Sequence, residues 1–302
     1  MYLDFFKFKK NPFHITPDPD FLFLSPSHQD AYTSIFWGIQ QRKGLVAVTG
    51  EVGVGKTTIL RSYLEGADPE RIRTVYIFHA ALSFGKLMKQ IVSQLGIPAV
   101  DKGLPDIIDR VFLYLADEYK NDRRVVLIID EAQNLPVETL ERFRMLSNRE
   151  TSQEKLLQVI LVGQPEFENK LNLPELRQLK QQIAISTRIK TLTPDESLAY
   201  IQHRLMIASS FYNPVFTKAA LKRIVKEANG IPRTINIFVR QCAYYGLRVS
   251  AQARGCQNHR RGDQGFTRRT TGTFIQLENC LGPDSGCVLW TGRGRLGDTF
   301  ED

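Results

Sequence analysis

No stretch of this 302-residue chain reaches the length of about 18 consecutive apolar residues that a membrane-spanning helix needs. The start, Met1-Tyr2-Leu3-Asp4-Phe5-Phe6, lacks the basic, apolar and small-residue order of a secretory signal. Cysteine is missing until Cys242, and the four present (Cys242, Cys256, Cys280, Cys287) form no C-x₂-C pair. That excludes a paired zinc ribbon, and it disfavours a disulfide scaffold in a chain with no secretory signal. A helix-turn-helix signal is absent too, and the basic residues form only short clusters such as Lys7-Phe8-Lys9-Lys10. The net charge of +8 and pI near 9.3 permit an acidic partner, nucleic acid or anionic lipid. Their spread along the chain reads instead as a solvated surface. These absences predict a cytoplasmic protein.

What is present is concentrated in two strings. Gly50-Glu51-Val52-Gly53-Val54-Gly55-Lys56-Thr57 matches G-x-x-x-x-G-K-[ST] at every fixed position. An apolar run, Gly44-Leu45-Val46-Ala47-Val48-Thr49, precedes it, and a helical pattern from Thr58 to Leu64 follows. Strand, glycine-rich loop and helix together build an anion cradle. Backbone N–H groups turn inward around phosphates, and the helix N-terminus adds partial positive charge. Phosphate contacts are expected along Gly50, Glu51, Val52, Gly53, Val54, Gly55, Lys56, Thr57 and Thr58. Lys56 should reach the β- and γ-phosphates of ATP, and the Thr57 hydroxyl should bind Mg²⁺.

The second string is Arg124-Val125-Val126-Leu127-Ile128-Ile129-Asp130-Glu131-Ala132-Gln133. Five apolar residues suit a parallel strand buried on both faces. An acid at its C-terminal end faces the crevice where such sheets bind ligands. Asp130 is the candidate to hold Mg²⁺ through water. Glu131 is the candidate to deprotonate or orient the attacking water. Taken alone, the pair also reads as a strand end followed by a helix start.

Further strands are predicted at Thr74–Phe78, Leu156–Val162 and Ala184–Ile189. Helices are predicted from near Ser27, at Phe84–Leu95, at about Asp106–Tyr119 and near Val137–Leu146. The alternation predicts an α/β fold of P-loop NTPase type, a parallel sheet with helices on both faces. Residues 1–30, rich in proline and aromatics, are expected to pack on the nucleotide domain at 31–192. Thr193-Pro194-Asp195-Glu196 is a capping box that opens a small helical lid, residues 193–238. From 239 to 302 there are nine arginines, no lysine and ten of the 21 glycines. That segment reads as a disordered basic tail or as translation in a shifted frame. Read one base later, suitable codons for Val239–Leu247 yield Cys-Asp-Asn-Ala-Leu-Ile-Thr-Ala, a sensible helix.

Taken in order, several strings resemble the AAA+ ATPases of the general secretion pathway A (ExeA-like) type, over about residues 1–238. They are Asn11-Pro12-Phe13, Pro17-Asp18-Pro19, the phosphate loop, Asp130-Glu131-Ala132-Gln133-Asn134, Leu146-Ser147-Asn148, Leu161-Val162-Gly163-Gln164-Pro165-Glu166 and Gly230-Ile231-Pro232-Arg233-Thr234-Ile235-Asn236. The type includes relatives found beside exosortase and polysaccharide-export genes.

The resemblance implies Mg-dependent ATP hydrolysis that energises or regulates envelope secretion, export or pilus-type assembly. It implies a homo-oligomer and a partner in the envelope or secretion machinery, with any inner-membrane attachment made through that partner. Gln164 would be a first sensor near the γ-phosphate; it also reads as a turn residue before Pro165. Arg233 would be a second sensor on the lid; it also reads as a salt-bridged helix start. Arg177 and Arg188 are candidates for an arginine finger acting on a neighbour, although related sequences often carry arginine where this chain has Gln182. His28 would contact adenine or serve packing. The alternatives are a DNA-binding transposition helper and a nucleotide-gated switch with little turnover.

Overall fold

The computed structural model describes residues 2–16, 18–78, 81–98, 103–147, 154–209, 215–244, 274–276 and 288–290. Pro17 and Asn148 from the resemblance, and Cys256, Cys280 and Cys287 from the tail, lie outside the described residues. The chain divides into two units: Pro17–Thr191, and Met1–Thr16 together with the chain from Leu192 onward.

The first unit is a five-stranded parallel sheet. Its strands are β1 (Leu45–Gly50), β2 (Ile72–Ile77), β3 (Arg124–Ile129), β4 (Leu157–Gly163) and β5 (Ile183–Ile189). They lie in the order β2-β3-β4-β1-β5, and every neighbouring pair is parallel. Side chains alternate between faces along a strand, so an all-apolar strand feeds two cores. Val125, Leu127 and Ile129 enter one core with Leu87, Met88, Val111, Leu115 and Phe143. Val126 and Ile128 enter the other with Ile35, Ile39, Ile59 and Leu60. The first set belongs to helices α4 (Phe84–Gln94), α5 (Leu104–Lys120) and α6 (Val137–Ser147). The second belongs to α2 (Pro26–Gln40) and α3 (Lys56–Gly66). Two short helices went unforeseen, α7 (Pro165–Leu171) and α8 (Arg177–Gln182).

This topology positions the site. β4 lies between β1 and β3, so the C-terminal ends of all three open on the same edge. The phosphate loop follows β1, Asp130-Glu131 follows β3 and Gln164 follows β4.

The second unit holds α1 (Tyr2–Phe6), α9 (Pro194–Ala208), α10 (Lys218–Ala228) and α11 (232–244). A short antiparallel pair, β6 (Phe274–Gln276) with β7 (Val288–Trp290), belongs to the same unit. The predicted capping box forms. The Thr193 hydroxyl accepts from the Glu196 N–H at 3.2 Å, and the Glu196 carboxylate accepts from the Thr193 N–H at 2.8 Å. After α10 the chain turns through Asn229 (φ 50°) and Gly230 (φ +71°). Gly230 packs so closely that a Cβ there would sit 2.0 Å from the Leu192 carbonyl oxygen. Only glycine meets both demands.

Two boundaries differ from expectation. The arm does not pack as one piece: residues 1–16 join the helical unit, and Pro17 onward joins the sheet. The reason is a buried polar chain. Arg204 Nε donates to the Pro12 carbonyl, and another guanidinium nitrogen donates to the Tyr200 hydroxyl at 2.6 Å. The Tyr200 hydroxyl donates to Asn236 Oδ1 at 3.0 Å, and Asn236 Nδ2 donates to the His14 carbonyl at 3.4 Å. Phe13, fully buried, anchors the segment. The second difference is at the far end. The last helix of the unit continues through residue 244, past the expected limit of 238, with Val239, Cys242 and Ala243 buried. Burial pushes the Cys242 thiol pKa up to about 12, so it behaves as a small apolar residue.

Candidate active site

Gly55, the residue before α3, adopts φ +110°, and a Cβ there would lie 3.2 Å from His28 Nε2. The loop is therefore held from behind by a histidine. His28 is buried on α2, with Nε2 2.8 Å from the Val54 carbonyl and Nδ1 2.6 Å from the Ser25 hydroxyl. A carbonyl only accepts, so Nε2 carries the proton and donates to Val54, and Nδ1 accepts from Ser25. Ser25 precedes α2, so one helix start supports the phosphate loop across 26 residues of sequence. Both ring nitrogens are engaged inside the protein. Of the two roles open for this residue, adenine contact or packing, these contacts supply the second, as support for the phosphate loop. Replacing His28 with Ala leaves the Val54 carbonyl and the Ser25 hydroxyl without this partner. The expected result is about 1–3 kcal/mol less stability, and ATP affinity lower by about tenfold. Thermal melting and fluorescent-nucleotide titration read both.

Lys56 opens α3 and is buried. Its ammonium donates to the carbonyls of Gly50 (2.7 Å) and Glu51 (3.0 Å). Burial pulls its pKa below the usual lysine value, and the carboxylates of Glu131, Asp130, Glu51 and Glu166 pull it back up. A cation kept dry among loop carbonyls and facing acids is suited to an incoming phosphate.

Asp130 is buried at the end of β3 and is a hub. Its Oδ2 accepts from the Thr57 hydroxyl at 3.3 Å and from the Tyr76 hydroxyl at 3.0 Å. Its Oδ1 accepts from the Glu131 N–H at 2.9 Å. Burial and the adjacent Asp130 charge raise the Tyr76 pKa, so the phenol stays a donor. Thr57 and Asp130 thus present two hard oxygens side by side, which fits Mg²⁺. Among the described residues no group of three His, Cys, Asp or Glu could hold a metal ion by itself. Mg²⁺ sites ordinarily combine one or two protein oxygens with phosphate and water, so the donor set suits that ion.

Glu131 sits in the left-handed region at φ 54° and ψ 43°. A non-glycine residue there is strained by roughly 1–3 kcal/mol, and such strain concentrates at functional sites. The turn stops β3 and starts the short 3₁₀ segment Ala132–Asn134. The Glu131 carboxylate is half-buried and oriented by two amides. Gln133 Nε2 donates to Oε2 at 2.5 Å, and Gln164 Nε2 donates to the same oxygen at 2.9 Å. Gln164 therefore lies beside Glu131 and does more than turn the chain before Pro165.

Of the remaining predicted residues, Arg188 at the end of β5 lies 3.7 Å from Glu168, which itself accepts from the Thr49 hydroxyl. Arg177 is exposed at the start of α8, and Arg233 is exposed in the helical unit near the start of α11. Sequence reasoning missed Tyr76, Gln133 as a ligand of Glu131, and the Val54 contact of His28. Gln133 alone left a signal, since it stands in the same string as the two acids.

Residues 39–171 match the family model described as AAA domain. The chain is 36% identical over 264 residues to General secretion pathway protein A of Aeromonas hydrophila, covering 87% of this chain and 47% of that protein. The chain belongs to the AAA+ family, of the general secretion pathway A type. It spans about half the length of this relative. The matched span is longer than residues 1–238, so it takes in part of the segment set aside as aberrant. Solved AAA+ folds resemble it at low identity. The ORC2 protein of Aeropyrum pernix superposes with a TM-score of 0.62 at 17% identity, over 80% of this chain and 68% of that one. CDC6P from Pyrobaculum aerophilum gives 0.58 at 19% identity, over 77% and 66%. These two likenesses bear on the fold alone. Among the described residues no helix is long and apolar enough to cross a membrane.

Proposed function

We propose that this AAA+ chain binds ATP with Mg²⁺ at the C-terminal edge of its sheet, hydrolyses it, and uses the cycle to energise assembly of an envelope secretion or export machine. The observation that carries the reading is the convergence of Lys56, the Thr57–Asp130 pair and the amide-held Glu131 on one sheet edge. The secretion role rests on the relationship to General secretion pathway protein A.

Lys56 leaves its loop carbonyls for the β- and γ-phosphate oxygens and matches their negative charge. Loop N–H groups complete the cradle. Mg²⁺, held by Thr57 and by Asp130 directly or through water, neutralises phosphate charge when bound. Glu131 takes a proton from water as its oxygen attacks the γ-phosphorus. The new P–O bond forms, the bond to the bridging oxygen breaks, and ADP leaves with the electron pair. Gln164, beside both Glu131 and the end of β4, senses the γ-phosphate. Arg233 carries the nucleotide state into the helical unit. Arg177 and Arg188 are the candidates for a finger toward a neighbouring copy, and Arg188 would exchange its exposed pair with Glu168 for that role. A homo-oligomer, a secretion-machinery partner and a membrane contact made through that partner complete the reading.

Phosphate release from the purified chain tests it. Turnover is expected with Mg-ATP and is lost with excess EDTA. A duplex DNA arm is included because of the basic charge. DNA stimulation that collapses as salt rises would favour the transposition-helper alternative. Tight ATP binding with no turnover in any arm would favour the nucleotide-gated switch.

A further inference from the structure

Gln133 lies two residues beyond Glu131, and its side-chain oxygen, side-chain nitrogen and backbone carbonyl are each engaged near the site. Its side-chain Oε1 accepts from the backbone N–H of Gln164 at 3.1 Å. That bond resolves the amide orientation. A backbone N–H can only donate, so the oxygen faces Gln164 and Nε2 faces Glu131. Nε2 then donates to Glu131 Oε2 at 2.5 Å. The backbone carbonyl of Gln133 accepts from Lys170 Nζ at 2.9 Å, and the same ammonium also bonds the Leu135 carbonyl. Burial lowers the Lys170 pKa, while the two carbonyls that accept from the ammonium favour its charged form. The 3₁₀ turn bearing Gln133 is thereby tied to α7, the helix that follows Gln164.

We infer that Gln133 is the positioning residue for the general base. It holds Glu131 Oε2 so that Oε1 stands ready for the water proton, and it links the Gln164 strand end to that carboxylate. Two amides on one oxygen fix the carboxylate plane better than either does alone. A shift of the β4 end would move the Gln164 N–H, the Gln133 amide and Glu131 together. The short side chain of Ala132 could not make this link, and Asn134 is exposed. The inference rests on the hydrolysis reading above.

The test uses the full chain with Gln133→Leu, which keeps the length and removes both amide contacts. Steady-state turnover, ATP affinity and melting are measured for wild type, Gln133→Leu, Glu131→Gln and the double variant. Support for this kind of ligand-orienting partner is typically worth about 10–100-fold. The expected result is a fall in kcat of that size, with KM and ATP affinity within about threefold of wild type. Gln133→Leu adds no further loss on the Glu131→Gln background in single-turnover reactions, because it acts through the carboxylate. A merely structural role predicts the opposite: lower melting, weaker ATP binding and an equal loss on both backgrounds. Restoring an amide with Gln133→Asn is expected to recover part of kcat. Wild-type turnover in Gln133→Leu overturns this inference and leaves the hydrolysis reading standing. A wild-type chain that binds ATP without hydrolysing it overturns both.

Discussion

Replacing Lys56 with Ala is expected to abolish measurable ATP binding while leaving the fold intact. The ammonium is the one buried cation at the phosphate loop whose bonds go to carbonyls in place of a carboxylate partner. Each charge-assisted bond to phosphate is worth about 1.5–3 kcal/mol. Losing two such bonds lowers affinity by roughly 100-fold or more. Stability responds differently. Burial already depresses the Lys56 pKa, so in the ligand-free protein the charged form carries a desolvation cost that Ala removes. The Gly50 and Glu51 carbonyls lose a donor in return. These effects oppose one another, and the melting temperature is expected to move by only a few degrees. Isothermal titration with ATP, paired with a thermal melt, separates them. An Ala variant that binds ATP normally would remove Lys56 from the site. One that unfolds would make the lysine a structural residue first.

Glu131→Gln is expected to do the reverse: keep ATP bound and stop its hydrolysis. The substitution preserves shape, and the geometry permits it. Both amide donors, from Gln133 and Gln164, converge on a single carboxylate oxygen. The glutamine carbonyl can occupy that position and accept from both, with its NH₂ turned where Oε1 stood. The binding geometry therefore survives, but no group is left to take the water proton. General bases contribute about 10²–10⁴-fold, so kcat should fall by roughly 1,000-fold, with ATP affinity within about threefold of wild type. Rapid-quench single-turnover measurement, with bound ATP counted after desalting, reads both quantities. Turnover close to wild type would end the assignment of Glu131 as base.

Much of the sheet was legible because buried parallel strands leave a local mark. Val125–Ile129 and Val159–Val162 are continuous apolar runs, and both became parts of central strands that feed two cores. β5 was harder, with exposed residues alternating along it, as an edge strand requires. The short helices α7 and α8 lack the length that lets a helical period emerge. At the far end, the arginine-rich composition suggested that order ends at 238. Val239, Cys242 and Ala243 nonetheless keep a three-to-four-residue apolar spacing and continue α11.

The phosphate loop and the Asp130-Glu131 pair were determined by sequence alone. Their chemistry needs particular residue types at fixed spacing next to one strand, and that information is local. The contacts that tune them are not local. His28 reaches Val54 across 26 residues, Tyr76 reaches Asp130 across 54, and Gln164 reaches Glu131 across 33. Likewise, residues 1–16 take their place from bonds to Arg204 and Asn236, which Tyr200 joins, rather than from their own prolines. Each of those pairings exists only once the strand order β2-β3-β4-β1-β5 brings distant segments to one edge, or once the helical unit closes around its buried polar chain. A buried hydrogen-bonding group takes whichever partner the fold delivers, so no residue pattern announces that partner in advance.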